Sequence, residues 1–351
     1  MLRAWCARRL ECGQLGPAAL TRPLGVVYGH VASTFLARPV RLPTRVSVIG
    51  IGGAVLGGAG KTAVALAYAR ACADAGVRAA LVSHAYGARP VRAKRVFPND
   101  PVAEVGDDAL VAASALADTP VGVWVGPHRD ACLAEASHGV DVIIVDGLLQ
   151  ARPERLTRSV LVLDGQAPFG SGVLPPSGDL RAPVHCLLTA CDEVVIVRDP
   201  AQQSEAVNRW PEAWGEPRLV RTAWTEAFVP RVPFGSAYAA LRPARIGLLL
   251  TIARPTRVTR ALLARRVVPL CHWFGADHRA PGLSDLRRIR NLARRFRLDG
   301  WLTSSKCATH LAGLDLAAPI GVIQVSTRLD PSPTPVLGCR ACAQRNSSWS
   351  C

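Results

Sequence analysis

Lysine is almost missing from this chain. Of 42 basic residues in 351, only Lys61, Lys94 and Lys306 are lysines. Where arginine serves nearly everywhere, the lysine in Gly60-Lys61-Thr62 marks a place that a planar guanidinium fills badly. A compact ammonium between phosphate oxygens is such a place. Aromatic residues are also few, 5% of the chain, and no recognisable binding module accompanies the basic runs. That argues against a nucleic-acid protein, which would stack bases on aromatic side chains. No apolar run reaches the roughly 18 residues of a spanning helix, and no clear signal-peptide cleavage pattern is found. Eleven cysteines run from Cys6 to Cys351 without a paired framework. This disfavours a disulfide-stapled domain and points to a reducing compartment. Cys339 and Cys342 have CxxC spacing. Without a second pair they read as part of a loosely ordered tail, with a zinc or redox site as the lesser alternative.

What is abundant is aliphatic residue and positive charge. Nearly half the chain, 49%, is hydrophobic, and the formal net charge is +16. Part of that excess is a compositional preference for arginine, but the clustering favours an anionic partner such as nucleic acid, anionic lipid or a phosphorylated substrate. Residues 1–50 hold seven arginines and a single acid, Glu11. Within Pro23 to Pro43, Leu24, Val27, Val31 and Phe35 recur at helical spacing between arginines. This predicts an amphipathic helix lying on an anionic membrane surface. A helix packed on the protein's own core is the competing expectation.

From residue 45, short continuous aliphatic runs alternate with helical stretches. The runs are 45–50, 79–83, 121–125, 141–146, 160–164 and 193–197; Thr62 to Ala75 and Asp107 to Ala117 read as helices. Continuous apolar strands are covered on both faces, and strand–helix alternation implies a parallel sheet. Residues 199–243, with several Pro and Trp, interrupt the rhythm. A second alternating block follows, with strands at 245–250, 267–273, 299–304 and 319–325 and helices near 255–265 and 283–297. The expected fold is α/β: a P-loop NTPase-like, mostly parallel sheet with helices on both faces, a smaller second α/β lobe and an N-terminal amphipathic helix. The expected division is 1–44 (basic membrane-surface segment), 45–198 (P-loop lobe), 199–243 (connection), 244–327 (second lobe, with a cleft between the lobes) and 328–351 (tail).

The stretch GIGGAVLGGAGKTA, residues 50–63, lies between a strand and a helix, as a phosphate loop does. Val55 stands where G-x-x-x-x-G-K-[ST] has its first glycine, and Gly57, Gly58 and Gly60 surround the gap. Backbone N–H groups of Gly57, Gly58, Ala59 and Gly60 can face an anion, Lys61 can reach the β- and γ-phosphates, and the Thr62 hydroxyl can bind Mg²⁺. A metal-side acid belongs at the end of a neighbouring strand. Asp146 fits, and Asp164 competes.

These segments resemble one P-loop family. GGAVLGGAGKT resembles G-N-L-T-x-G-G-x-G-K-T, PLGVVYG a membrane-facing N-terminal helix, SHAYG (83–87) S-R-G-Y-G, and VGDDAL (105–110) V-G-D-E-P-L. DVIIVDGLLQ (141–150) resembles D-V-I-I-L-D-D-G-x-Q, and FGSGVLPPSGDLRAP (169–183) resembles F-G-N-G-x-L-L-P-A-G-P-L-R-E-P. IARPTR (252–257), ADH (276–278) and LTSSK (302–306) complete the series. Order and spacing agree from about residue 20 to 326. The family is the tetraacyldisaccharide 4'-kinases. The resemblance implies ATP-dependent phosphorylation of the 4'-hydroxyl of a lipid A disaccharide precursor, peripherally at the cytoplasmic face of the bacterial inner membrane, with ATP and Mg²⁺. It gives Asp107 the part of proton acceptor, and His278 the part of its assistant. Asp108 stands where the family has Glu, so a metal contact there runs through water or a shifted backbone. Arg129 and Arg181 are candidate phosphate or substrate anchors. The chain departs from the pattern at Gly53, Val55, His84, Gly147, Ala151, Thr251 and Cys307. These losses leave a second reading, a catalytically impaired member that binds nucleotide or lipid.

Overall fold

The computed structural model describes residues 18–34, 37–201, 219–228 and 244–333. Phe35, the CxxC pair and most of residues 199–243 lie outside them. The chain divides into two compact units, the larger built mainly on residues up to Arg198 and the smaller mainly on residues 225–326.

The larger unit begins with α1 (Ala18–Thr34) and the short β1 (Ala37–Pro39). Then come β2 (Ser47–Gly53), α2 (Lys61–Asp74), β3 (Ala79–Val82), β4 (Lys94–Val96), α3 (Val102–Val105) and α4 (Asp107–Ala115). After these follow β5 (Gly122–Val125), α5 (Arg129–Ala136), β6 (Val142–Asp146), β7 (Gln150–Arg152), β8 (Arg158–Asp164), α6 (Val184–Thr189), β9 (Glu193–Arg198) and β10 (Val220–Phe228). The sheet order is β10-β9-β8-β2-β6-β3-β5-β4. It is parallel except at the β4 edge. All seven residues of β2 and all five of β6 are buried, as central parallel strands must be. Side chains alternate across the sheet. Ile49, Ile51 and Ile144 pack with Val64, Tyr68 and Ala109 of α2 and α4, while Val48, Ile143 and Val145 pack with Cys132 and Leu133 of α5.

Strand β10 corrects the reading of 199–243 as pure connection. It was hard to see because Arg221, a residue typical of surfaces, is buried there. Its Nε lies 2.6 Å from Glu193 Oε1, which also accepts from the Tyr68 hydroxyl, and Arg158 lies 3.4 Å from Glu193 Oε2. Burial, and then the Glu193 carboxylate, push the Tyr68 phenol well above its ordinary range. Arg221 also donates to the Pro331 and Ser332 carbonyls.

Helix α1 packs on the larger unit through glycine. A Cβ at Gly29 would come within 2.9 Å of the Leu174 side chain and 3.5 Å of Pro183. The apolar side chains predicted for one face point elsewhere: Leu24, Val27 and Val31 are 56%, 61% and 51% exposed. Packing on the protein's own core is therefore not what these residues do. No helix among the described residues is long and apolar enough to cross a membrane. The six cysteines among them are free thiols.

The smaller unit contains β11 (Ile246–Leu250), α7 (Pro255–Ala264), β12 (Cys271–Phe274), α8 (Leu283–Phe296), β13 (Gly300–Ser304), α9 (Ser305–Leu311) and β14 (Ile320–Asp330). Its strands run β12-β11-β13-β14, parallel throughout. Strand β12 starts four residues later than its apolar run predicts, after Pro269, which cannot donate to a ladder. Strand β14 continues to Asp330, past the boundary expected at 327.

Candidate active site

The loop after β2 explains how Val55 replaces a glycine. Val55 is buried and bridges Leu180, Leu56 N–H donates to the Asp179 carbonyl at 2.9 Å, and Arg181 N–H donates to the Ala54 carbonyl at 2.8 Å. Position 55 thus belongs to an arm stitched to residues 179–181, where a β-branched residue packs well. The turn itself is made by Gly57, Gly58 and Gly60, with φ of 106°, 68° and 90°, a region L side chains avoid. Gly60 precedes α2 and has no side chain, so no side-chain cap covers the helix start, the end of a helix that favours an anion. The Lys61 stem lies over Gly53, where a Cβ would press to 3.2 Å on both Lys61 and Ala59.

Beside Lys61, the Thr62 hydroxyl lies 2.8 Å from Asp146 Oδ2 and 3.2 Å from Asp108 Oδ1. It has one proton, so it donates to one carboxylate at a time. Asp107, Asp108 and Asp146 are all buried. Such a set, a hydroxyl among buried carboxylates, is an all-oxygen donor group suited to a hard cation, so the residues fit Mg²⁺. Asp164, the competitor, instead accepts the Gln166 N–H at 2.9 Å and caps a turn. Asp107 opens α4 and its Oδ1 accepts the Asp108 N–H at 2.8 Å. Gly106 before it has φ 84°, and a Cβ there would press to 3.2 Å on the Ala85 backbone. The 83–87 segment and the start of α4 can meet only through this glycine.

A pocket next to the loop is lined by Arg38, Gly52, Gly53, Lys61, Gly147, Leu149 and Arg181. Arg181 Nε is buried without a hydrogen-bond partner. Burial, and then Arg38, hold its pKa below the ordinary guanidinium range. Three cations around a buried donor suit a polyanion such as a nucleotide phosphate chain. Sequence reasoning missed Arg38. It sits on a three-residue strand that reaches the site by pairing with β7, and no local pattern announces that.

Arg129, the first residue of α5, is placed differently. Its guanidinium donates to the Asp146 carbonyl at 3.3 Å and the Gly147 carbonyl at 3.4 Å, and lies 2.8 Å from His84 Nε2. The same guanidinium nitrogen lies 3.3 Å from His84 Nδ1, so it sits against the ring and not on the lone-pair line of one nitrogen. Burial, and then Arg129 and Lys61, press the His84 pKa down to about 3. Burial, and then Arg38, lower that of Arg129 to about 10.

In the smaller unit, His278 has φ 54° and donates its N–H to the Thr251 carbonyl at 3.2 Å. Asp277 Oδ2 lies 3.5 Å from its Nε2. Cys307, which departs from the acidic pattern, is buried and its Sγ accepts the Thr251 N–H at 3.1 Å. The thiol serves there as a weak acceptor in a core position.

The sequence model of the tetraacyldisaccharide-1-P 4'-kinase family matches residues 17–337. Relatives named tetraacyldisaccharide 4'-kinase include one from Methylobacterium sp. (strain 4-46), 31% identical over 331 residues and 93% of each chain. One from Methylobacterium nodulans is 32% identical, covering 93% of this chain and 92% of its own. Among solved structures, the fold is similar to LpxK from Aquifex aeolicus in complex with ATP, with a TM-score of 0.60 at 18% identity, covering 88% of this chain and 93% of that one. With the family model matched over residues 17–337 and relatives aligned over 93% of its length, the chain belongs to the tetraacyldisaccharide 4'-kinase family, which phosphorylates the 4'-hydroxyl of the lipid A disaccharide precursor with ATP.

Proposed function

We propose that the transfer is carried by Lys61, Thr62, Asp107, Asp108, Asp146 and Arg181. The observation that carries this reading is the Thr62 hydroxyl within 2.8 Å of Asp146 and 3.2 Å of Asp108, one residue after Lys61. Backbone N–H groups of Gly57 to Gly60 cradle the phosphates of ATP, with Lys61 and Arg181 neutralising their charge. Thr62 and Asp146 would hold Mg²⁺, with Asp108 contributing through water, and the ion would supply neutralisation of phosphate charge there. Asp107 accepts the 4'-hydroxyl proton as that oxygen attacks. His278 assists Asp107, as the resemblance implies. The metal assignment is tested by Asp146→Asn. The Mg²⁺ concentration for half-maximal turnover is expected to rise about tenfold or more, because one carboxylate charge leaves an oxygen-only site. An unchanged Mg²⁺ requirement would remove Asp146 from the metal.

The enzyme sits peripherally at the cytoplasmic face of the inner membrane, held there through α1. Exposed Leu24, Val27 and Val31 enter the acyl boundary, and nearby arginines meet anionic headgroups at about 1 kcal/mol each. In flotation with vesicles rich in anionic lipid, Val27→Asp/Val31→Asp is expected to cut the bound fraction about tenfold, since two apolar side chains become charged. Flotation equal to wild type would show that α1 is not the membrane face.

A further inference from the structure

Two departures from the family pattern, His84 and Gly147, are neighbours in space although 63 positions apart. A Cβ built on Gly147 would overlap the His84 imidazole, and Gly147 has φ 80°. His84 thus occupies the space that a side chain at 147 would need. From there its ring lies against Arg129, one guanidinium nitrogen being 2.8 Å from Nε2 and 3.3 Å from Nδ1, while Arg129 spans the Asp146 and Gly147 carbonyls at 3.3 and 3.4 Å. Gly147 N–H in turn donates to the Ile51 carbonyl of β2 at 2.8 Å. The end of β6 is therefore gripped from both sides at the residue that offers its carboxylate to Thr62.

We propose that His84 and Arg129 form a positioning clamp for Asp146. Arg129 holds the last carbonyls of β6, and His84 fixes Arg129 in that orientation. This rests on the metal-side reading of Asp146. It gives Arg129 a structural hold on the site instead of a direct contact with substrate, and it explains how the site tolerates losing the second acid at 147. The imidazole and the absent side chain are one interdependent feature, so neither departure is a simple deletion.

The test is Mg²⁺ titration of turnover for His84→Ala, His84→Gln, Arg129→Ala and His84→Ala/Arg129→Ala, with Asp146→Asn as reference and thermal melting of each. Single loss of either clamp member is expected to raise the half-maximal Mg²⁺ concentration about fivefold to tenfold. The double variant should be no worse than Arg129→Ala, because His84 acts only through Arg129. His84→Gln should recover to within about threefold of wild type, since its planar amide can lie against the guanidinium and offers it an oxygen acceptor. Gly147→Ala should imitate His84→Ala, because its methyl displaces the ring. Multiplicative losses, or losses in kcat with an unchanged Mg²⁺ requirement, would overturn the clamp. So would variants whose melting falls in step with activity while the Gln variant fails to recover. An unchanged requirement in Asp146→Asn marks a different failure, that of the metal reading, and the clamp falls with it.

Discussion

Lys61→Ala is expected to lower kcat about 10²–10³-fold, the cost of removing one preorganised donor from developing charge, while the fold and melting temperature stay near wild type. The reason is local. Lys61 lines a pocket with Arg38 and Arg181, and of the sheet it covers only the end of β2 at Gly53. Lys61→Arg is the sharper variant. The stem lies over Gly53, where an added methyl would press to 3.2 Å on both Lys61 and Ala59. A planar guanidinium cannot reach the same point between phosphate oxygens. Arginine is therefore expected to lose at least about 10²-fold as well. Steady-state transfer to a micellar lipid acceptor measures both. Full activity in the Arg variant would mean that the scarcity of lysine elsewhere says nothing about this position.

Asp107→Asn should leave ATP binding within about threefold and lower kcat about 10²–10⁴-fold, the span that general-base catalysis contributes. Asn keeps the shape and an acceptor for the Asp108 N–H, now 2.8 Å from Asp107 Oδ1, so α4 should stay capped. What is lost is the capacity to take a proton. Nucleotide affinity by titration, set beside single-turnover transfer, separates the two effects. A variant that transfers at wild-type rate would return Asp107 to the part of a helix cap.

The sequence carried the strands of both units because buried parallel strands are written as unbroken aliphatic runs, and β2, β6, β8 and β9 are such runs. It carried the glycine turn after β2 despite Val55, because a positive-φ turn is announced by Gly57, Gly58 and Gly60. It also put Asp146 before Asp164, and the two strand ends differ in the structure: Thr62 meets Asp146, and a turn N–H uses Asp164. Less was legible where meaning depends on distant partners. Arg221 looks like a surface residue until Glu193 is found beside it. His84 and Gly147 look like two independent losses until the ring is seen filling the space over the glycine. Arg129 reads as an anion anchor by type, yet its guanidinium holds backbone carbonyls. Each of these pairings comes from sheet topology, which local spacing does not encode.

The most direct test is transfer of the labelled γ-phosphate of ATP to tetraacyldisaccharide 1-phosphate in detergent micelles by the unaltered chain. The account predicts Mg²⁺-dependent turnover, with the new phosphate at the 4'-position and the signal lost in Lys61→Ala. A folded protein that binds ATP and acceptor but transfers nothing would contradict it, and would leave a member of the family whose loop only binds.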